Sequence, residues 1–437
     1  MSKTVLIVGA GAAGMACAAE LARRGLSVTI LEARKRVGGR IFTQHVSGLS
    51  VPVELGAEFI HGRAPQIFEP MKAAQQEIVE CDGDDWCREE QLCSCDFFEK
   101  VEQLLEKMKE FASPDRSFKA FLEQLPRAAG DEKIRERALE FVSGFNAADP
   151  AKISVQSLLK DMERQEEIGG DHAFRLRNGY SALVSGLQEE CTRNHAEFRM
   201  EHVVERVEYR SDRVVVSGHR SAEKFELEAD AVVVTLPVSL LRPGDESSVV
   251  FDPALPSSKL EAIRGTEVGP VMRVTLVFQQ PFWKQIKGSD GRSLAKMRFL
   301  FSHDRYFPTW WTTQPVESPV LVAWSSGPRA EQFHGWNRDR IVEQALSSLA
   351  TILPVAKSEM KSMLKGAFLH DWQADPFSRG AYTYLCVGAA DAPSELARPI
   401  GGKVFFAGEA TDVNGDHATV HGAIASGQRA AREILSL

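Results

Sequence analysis

Apolar residues gather without interruption at Val5–Val8, give way to glycine, and return as an alanine-rich helical pattern running through Arg24. A second apolar run, Ser27–Leu31, ends on Glu32. Short unbroken runs separated by a helix predict parallel strands covered on both faces. Helical spacing recurs over 97–111 and 131–145, and Arg177–Val184 predicts a turn feeding a helix that ends near His195. Strands are expected at Val203–Tyr209, Val214–Ser217 and Phe225–Leu227, with a buried strand in Ala229–Pro237 stopped by its proline. A new set begins at Gly269: strands at Val271–Phe278, Met297–Ser302 and Val320–Ser325, a helix over Arg338–Leu353, and a strand near Ala367–His370. The chain closes with an apolar run in Lys403–Gly408 and a helix from about Thr419 to Leu435.

The break after Val8 has a chemical meaning. Gly9, Gly11 and Gly14 stand as Gly-x-Gly-x-x-Gly between strand and helix. In that frame the first glycine allows a tight turn, the second lets backbone approach a pyrophosphate, and the third lets the helix press on the strand. The helix N-terminus, with Ala13 in its first turn, offers N–H groups and partial positive charge to the same anion. Glu32 follows Gly14 by eighteen residues, where a carboxylate grips a ribose diol and repels a 2′-phosphate. Beyond it come Ala33, Arg34 and then Gly38-Gly39-Arg40. Arg40 can neutralise a diphosphate approached closely by the glycine pair; a basic surface loop is the alternative.

The stretch from Val5 to Arg40 resembles the FAD-binding signature of the flavin amine oxidase superfamily, which comprises monoamine oxidases, polyamine oxidases and lysine-specific histone demethylases. The resemblance extends over nearly the whole chain. It implies an α/β fold with a Rossmann-type FAD-binding domain built from discontinuous segments, 1–65, 190–265 and 375–437. An α+β substrate-binding domain with a mixed sheet is then expected from 66–189 and 266–374.

Further segments carry the same resemblance. Val53–Gly62 is similar to the stretch that polyamine and spermine oxidases place against the isoalloxazine ring, with Gly56 and Ala57 bringing backbone close. It implies His61 in the substrate tunnel, where an imidazole suits proton exchange; a structural histidine is the equal alternative. Glu58 either pairs with a substrate ammonium or merely solvates the loop, and the second is the favoured reading. Asp371–Tyr384 looks like the demethylase and polyamine-oxidase version of a motif also found in monoamine oxidases. Trp372 is then expected beside the flavin, and Tyr382 as one wall of the amine's approach. Ala381 stands where monoamine oxidases carry the cysteine bonded to flavin, so FAD should be held non-covalently. Gly408 and Glu409 are implied near the ribityl–pyrophosphate region, and Thr419 and Val420 at a helix N-terminus facing the flavin N1/C2 edge. Thr419 replaces the second tyrosine of the monoamine-oxidase cage. Thr235, and Val204 through its backbone at the adenine, complete the cofactor set. One departure stands out: Gly269–Trp283 resembles a strand carrying a lysine four residues after its glycine, and here that residue is Arg273. Its guanidinium could stabilise reduced flavin, bind a substrate carboxylate, or turn to solvent from a shifted strand.

Composition narrows the classes. A length of 437 residues suggests ~2–3 domains. With 43% hydrophobic and 26% charged residues and no membrane-spanning run, the chain reads as soluble and cytoplasmic, without a signal peptide. A net charge of −8 disfavours nucleic acid and mildly favours cationic substrates. Seven cysteines without a secretory signal are expected to be reduced. Cys81, Cys87, Cys93 and Cys95 lie beside Asp82, Asp84 and Asp85, but the spacing fits no standard zinc module and predicts a hairpin turning at Asp82–Asp85; no metal is expected.

Together these imply an FAD-dependent amine oxidase passing hydride from an amine α-carbon to flavin N5. Its products are an imine, then aldehyde, and hydrogen peroxide when oxygen is the acceptor. Polyamines or secondary amines are favoured, with a monomer or homodimer expected. An amino-acid oxidase using Arg273, an amine dehydrogenase with another acceptor, a desaturase of the same fold, and a flavin-binding interaction protein whose redox chemistry has lapsed remain alternatives. Histone demethylation is disfavoured, because no long helical insertion is evident.

Overall fold

The computed structural model describes residues 3–126, 131–245 and 247–437. At its centre, strand β1 (Thr4–Val8) is flanked in parallel by β2 (Ser27–Glu32) and by Ala231–Val234. Glu197–Met200 joins outside β2, and Val404–Phe406 outside Ala231–Val234, also in parallel. Five short strands from widely separated parts of the chain thus make one sheet. Val5–Val8 and Ala231–Val234 are buried throughout, as apolar runs without alternation require.

Helix α1 (Ala12–Arg23) covers this sheet and crosses the C-terminal helix Val420–Leu435. Small residues make the crossing possible: a Cβ at Gly427 would lie 2.1 Å from the Ala13 carbonyl oxygen. Cys191, on the Ser181–Arg193 helix, donates its thiol to the Met15 carbonyl and seals the same layer. An antiparallel meander, Val203–Tyr209, Val214–Arg220 and Glu223–Ala229, packs beside the sheet.

The second large sheet has seven strands in mixed directions, with Val271–Phe278 paired to Val320–Ser326 and Leu364–Phe368. Its period-two alternation sorts two faces. Met272, Val274, Leu276 and Phe278 pack under the Arg338–Ile352 helix, whereas Arg273, Thr275 and Val277 point the other way, with Val277 against Trp311 and Val322. Helices Phe97–Glu106, Phe118–Gln124, Asp131–Phe145 and Val155–Ile168 form a further apolar cluster beside that second face. Among the described residues no helix is long and apolar enough to cross a membrane.

Two expectations around the cysteines are corrected. The hairpin does not turn at Asp82–Asp85; Asp84–Arg88 is strand, and the reversal falls at Glu89–Gln91 before Leu92–Ser94. Gly83, at φ +139°, passes so close to the Lys296 carbonyl that a Cβ would lie 2.5 Å from it, which lets Asp84–Arg88 pair in parallel with Met297–Ser302. Nor are all cysteines reduced: Cys87 and Cys95 form a disulfide across the hairpin.

Candidate active site

A cavity of about 1780 Å³ runs from the glycine turn after β1 to the inner face of the seven-stranded sheet. At its first end Gly9 takes φ +105°, and a Cβ at Gly14 would fall 2.0 Å from the Gly9 carbonyl oxygen, so helix and turn close only without side chains. Gly11 differs: nothing lies within 4 Å of its Cβ position, so the space beside it belongs to the cavity. Gly39 reaches over it, with its own Cβ position 3.3 Å from the Gly11 Cα, and the Gly38 amide donates to the Ala10 carbonyl at 2.8 Å. This bare backbone cradle fits a pyrophosphate, which side chains would keep at a distance.

Glu32 is buried, and its two carboxylate oxygens accept from the amides of Ala10 (2.9 Å) and Arg34 (2.8 Å). Ala12, Ala13, Ala33, Val204 and Thr235 line the same end. Val204 sits at an irregularity in its ladder, and Thr235 donates its hydroxyl to the Val8 carbonyl at 2.8 Å. Arg34 lines the cavity but directs one nitrogen to Asp375 (2.6 Å) and Ser378 (2.9 Å). Arg40 donates to Glu409 (2.8 Å) and to the Ala381 carbonyl (2.6 Å). Glu409 also accepts from the Thr383 hydroxyl (2.6 Å) and the Ala418 amide (3.1 Å), and so ties three segments together beside Gly408.

The other end is aromatic. A Cβ at Gly56 would collide with the Arg40 carbonyl at 1.8 Å and touch the Trp372 ring at 3.2 Å. Trp372 is fixed by its Nε1–H to the Leu55 carbonyl, 2.8 Å, and by the His370 ring 4.2 Å away. Tyr382 stands opposite Gly269 in a two-stranded ladder and donates its hydroxyl to the Phe145 carbonyl at 2.7 Å. Burial pushes that hydroxyl's pKa upward, so it remains a donor. Thr419 caps the C-terminal helix: its oxygen accepts from the Gly422 amide (3.0 Å) and its hydroxyl donates to the Asp416 carbonyl (2.5 Å). The first-turn residues Thr419, Val420 and His421 line the cavity, as does Ala57.

His61 lines this chamber with its ring 5.0 Å from Phe145. Burial, aided by the nearby His421, lowers its pKa from the ordinary value to about 4. An unfolded histidine protonates near 6.5, so the unfolded state binds the extra proton between those values and stability falls as pH drops from about 6.5 towards 4. The expected outcome is a His61 ring neutral at pH 6–8 by NMR titration, with His61→Gln flattening the pH dependence of the melting temperature below pH 6.5.

One expectation is overturned here and one alternative excluded. Glu58 does not solvate a loop: it is buried, meets Arg273 at 2.5 Å and Arg175 at 2.6 Å, and accepts from Trp311 Nε1 at 3.1 Å. Burial pushes its carboxyl up, but the two guanidinium groups and these hydrogen bonds more than compensate and hold it below the usual range. Arg273 does not turn to solvent; it is 5% exposed, lines the cavity, and donates also to the Gly56 carbonyl at 3.1 Å. The sequence reading missed Phe145, Trp311, Trp324 and Arg175, all cavity-lining or supporting. Trp324 pairs directly with Arg273 across the ladder. Period-two alternation on Val320–Ser326 was the available signal for it.

A bare dinucleotide cradle joined to an aromatic chamber is the arrangement of an oxidoreductase that works with a flavin. The chain belongs to a family within that class: residues 12–435 match the family described as flavin containing amine oxidoreductase, so FAD is its cofactor. It is 30% identical to "Lysine-specific histone demethylase 1 homolog 2" of Oryza sativa subsp. japonica, over 100% of this chain and 57% of the relative. It is 26% identical to "Polyamine oxidase 4" of the same plant, over 98% and 88%. The chain thus spans little more than half the length of the demethylase relative. In three dimensions it is similar to putrescine oxidase bound to putrescine (TM-score 0.80, 21% identity, 100% of both chains). It is equally similar to the cyclohexylamine oxidase of Brevibacterium oxydans IH-35A (TM-score 0.80, 20% identity, 100% and 99%). At such identities the likeness establishes a shared mixed α/β fold.

Proposed function

We propose that this chain oxidises a cationic amine, with polyamines or secondary amines favoured, using non-covalently held FAD. The observation that carries the reading is the single cavity joining the Gly9–Gly14 cradle to the chamber of Tyr382, Trp372 and His61. In this reading the parallel sheet, drawn from 1–65, 190–265 and 375–437, is a Rossmann-type FAD-binding domain, and the remainder is the substrate domain. Bound FAD supplies the hydride acceptor for the amine α-carbon.

The chain's own residues then do the following. Gly9, Gly11, Gly14 and Gly39 admit the pyrophosphate, Glu32 and Val204 hold the adenosine end, and Arg40 with Glu409 brackets the linkage. Tyr382, immobilised by Phe145, and Trp372 orient the amine, which the aromatic faces attract as an ammonium before it loses its proton. His61, neutral at working pH, does not repel that ammonium and can accept a hydrogen bond from the free amine. The C-terminal helix presents its positive end at Thr419 and Val420. The carboxylate of Glu166, on a helix walling the chamber, favours a cation. Ala381 offers no thiol for a covalent link.

A second reading, a dehydrogenase with an acceptor other than oxygen, is favoured by Arg273 where the resembling strand carries lysine. The amino-acid oxidase reading is weakened, because the Gly56 carbonyl and Glu58 already occupy both terminal nitrogens of Arg273. The test is anaerobic mixing of the yellow protein with polyamines, arylalkylamines and amino acids, followed by air. Bleaching with polyamines is expected, and no bleaching with any amine would overturn the proposal. Arg273→Lys is expected to accelerate reoxidation by about tenfold or more, since ammonium holds water differently from guanidinium. An unchanged rate would place Arg273 away from the reacting ring.

A further inference from the structure

Among the described residues Phe145, at 37%, is the one exposed Phe, Tyr or Trp, and it lines the large cavity. Its ring stacks on Phe141 at 5.3 Å with 7° between the planes, and meets the His61 ring edge-on at 5.0 Å. Both neighbours line the same cavity. The backbone beneath the ring is fixed from two sheets. Tyr382 donates its hydroxyl to the Phe145 carbonyl at 2.7 Å, while Trp324 Nε1 and the Ser326 hydroxyl donate to the Gly144 carbonyl at 2.9 and 2.7 Å. These carbonyls close the Asp131–Phe145 helix, where no later turn supplies amides to satisfy them. A ring on so rigid a base loses little freedom when a ligand settles against it.

We propose that Phe145 is a specificity-determining residue of the amine chamber, its open ring receiving an apolar, aromatic substituent carried on the amine nitrogen. From Phe141 to Ala148 the chain holds no charged side chain. His61, the other ring against Phe145, is neutral above about pH 4. A second ammonium, such as a polyamine carries, finds no carboxylate on this stretch, and a polar chain laid here is desolvated without a partner. An aryl group instead gains apolar contact and a ring–ring contact. Of the two amine classes favoured above, the wall therefore selects secondary amines, and among them those with an aromatic arm. The inference rests on the proposed amine oxidation and goes beyond it in naming the arm and its receptor.

The test is anaerobic flavin reduction of the FAD-loaded enzyme by N-(2-phenylethyl)butylamine and by N-ethylbutylamine, which differ only by a phenyl ring two carbons from nitrogen. The phenyl-bearing amine is expected to give a second-order reduction rate roughly tenfold or more higher in the wild type, chiefly through tighter binding. Phe145→Ala is expected to remove most of that preference and Phe145→Tyr to keep it. Tyr382 retains its hydrogen bond in both, since that bond ends on a backbone carbonyl. Equal rates in the wild type, or a preference that survives in Phe145→Ala, overturn the inference while amine oxidation stands. Weaker FAD binding in Phe145→Ala with the preference unchanged assigns the ring to the cofactor and overturns it too. No bleaching by any amine overturns the proposed function and this inference together. Should Phe145→Ala fail to fold, Phe145→Leu, apolar but without a ring, decides the matter, with a preference lowered about threefold expected.

Discussion

Replacing Glu58 with Ala lowers the stability of the protein by about 3–5 kcal/mol, the cost of leaving buried charge without its partner. Glu58 is the common acceptor for Arg273 and Arg175, which reach it from 215 and 117 residues away in the chain. Trp311 adds a third donor. Removing the carboxylate strands two guanidinium groups in a place that water reaches poorly, whereas removing both members of a pair releases much of that cost. Glu58→Ala with Arg273→Met is therefore expected to be more stable than Glu58→Ala alone, and thermal unfolding of the four members of the cycle measures the coupling. Additive effects would mean that the pair is uncoupled. The sign with pH follows from the depressed carboxyl: the contribution is fully present above the ordinary glutamate pKa and is lost as pH falls through the lower folded value.

Gly11→Val is expected to weaken FAD binding by roughly 100-fold, about 2.7 kcal/mol, while the apoprotein melts at the wild-type temperature. The glycine's backbone lies at φ −77°, which any residue adopts, and its Cβ position touches no protein atom. A valine there costs the fold little and fills space reserved for the pyrophosphate. Gly14→Ala makes the contrast, because its Cβ meets the Gly9 carbonyl oxygen at 2.0 Å and must push helix from strand. Titration of both apoproteins with FAD separates the two. Equal affinity of Gly11→Val and wild type would remove the cradle from the cofactor site.

Much of the fold was legible along the chain. Val271–Phe278 and Met297–Ser302 occur as expected, and the Arg338 helix ends one residue early, at Ile352. The strand expected near Ala367–His370 begins earlier and ends at Phe368, since its register is set by pairing with Val271–Phe278 rather than by its own residues. The hairpin reading failed for a similar reason. Asp82-Gly83 has the composition of a turn, yet the chain there runs on beside Met297–Ser302, and Gly83 serves a close passage instead of a reversal.

What the residues determined unaided was local: which runs form strands, where helices begin, and where backbone must be bare of side chains, because these follow from periodicity and steric contact between near neighbours. The glycine cradle and Glu32 belong to that class, whereas Trp372 and Tyr382 were read from resemblance to a family motif and not from spacing. The partnership of Glu58 with Arg273 and Arg175 was decided only by tertiary structure. Whether a charge solvates a loop or sits buried depends on what three distant strands bring beside it, and no spacing in the chain encodes that distance.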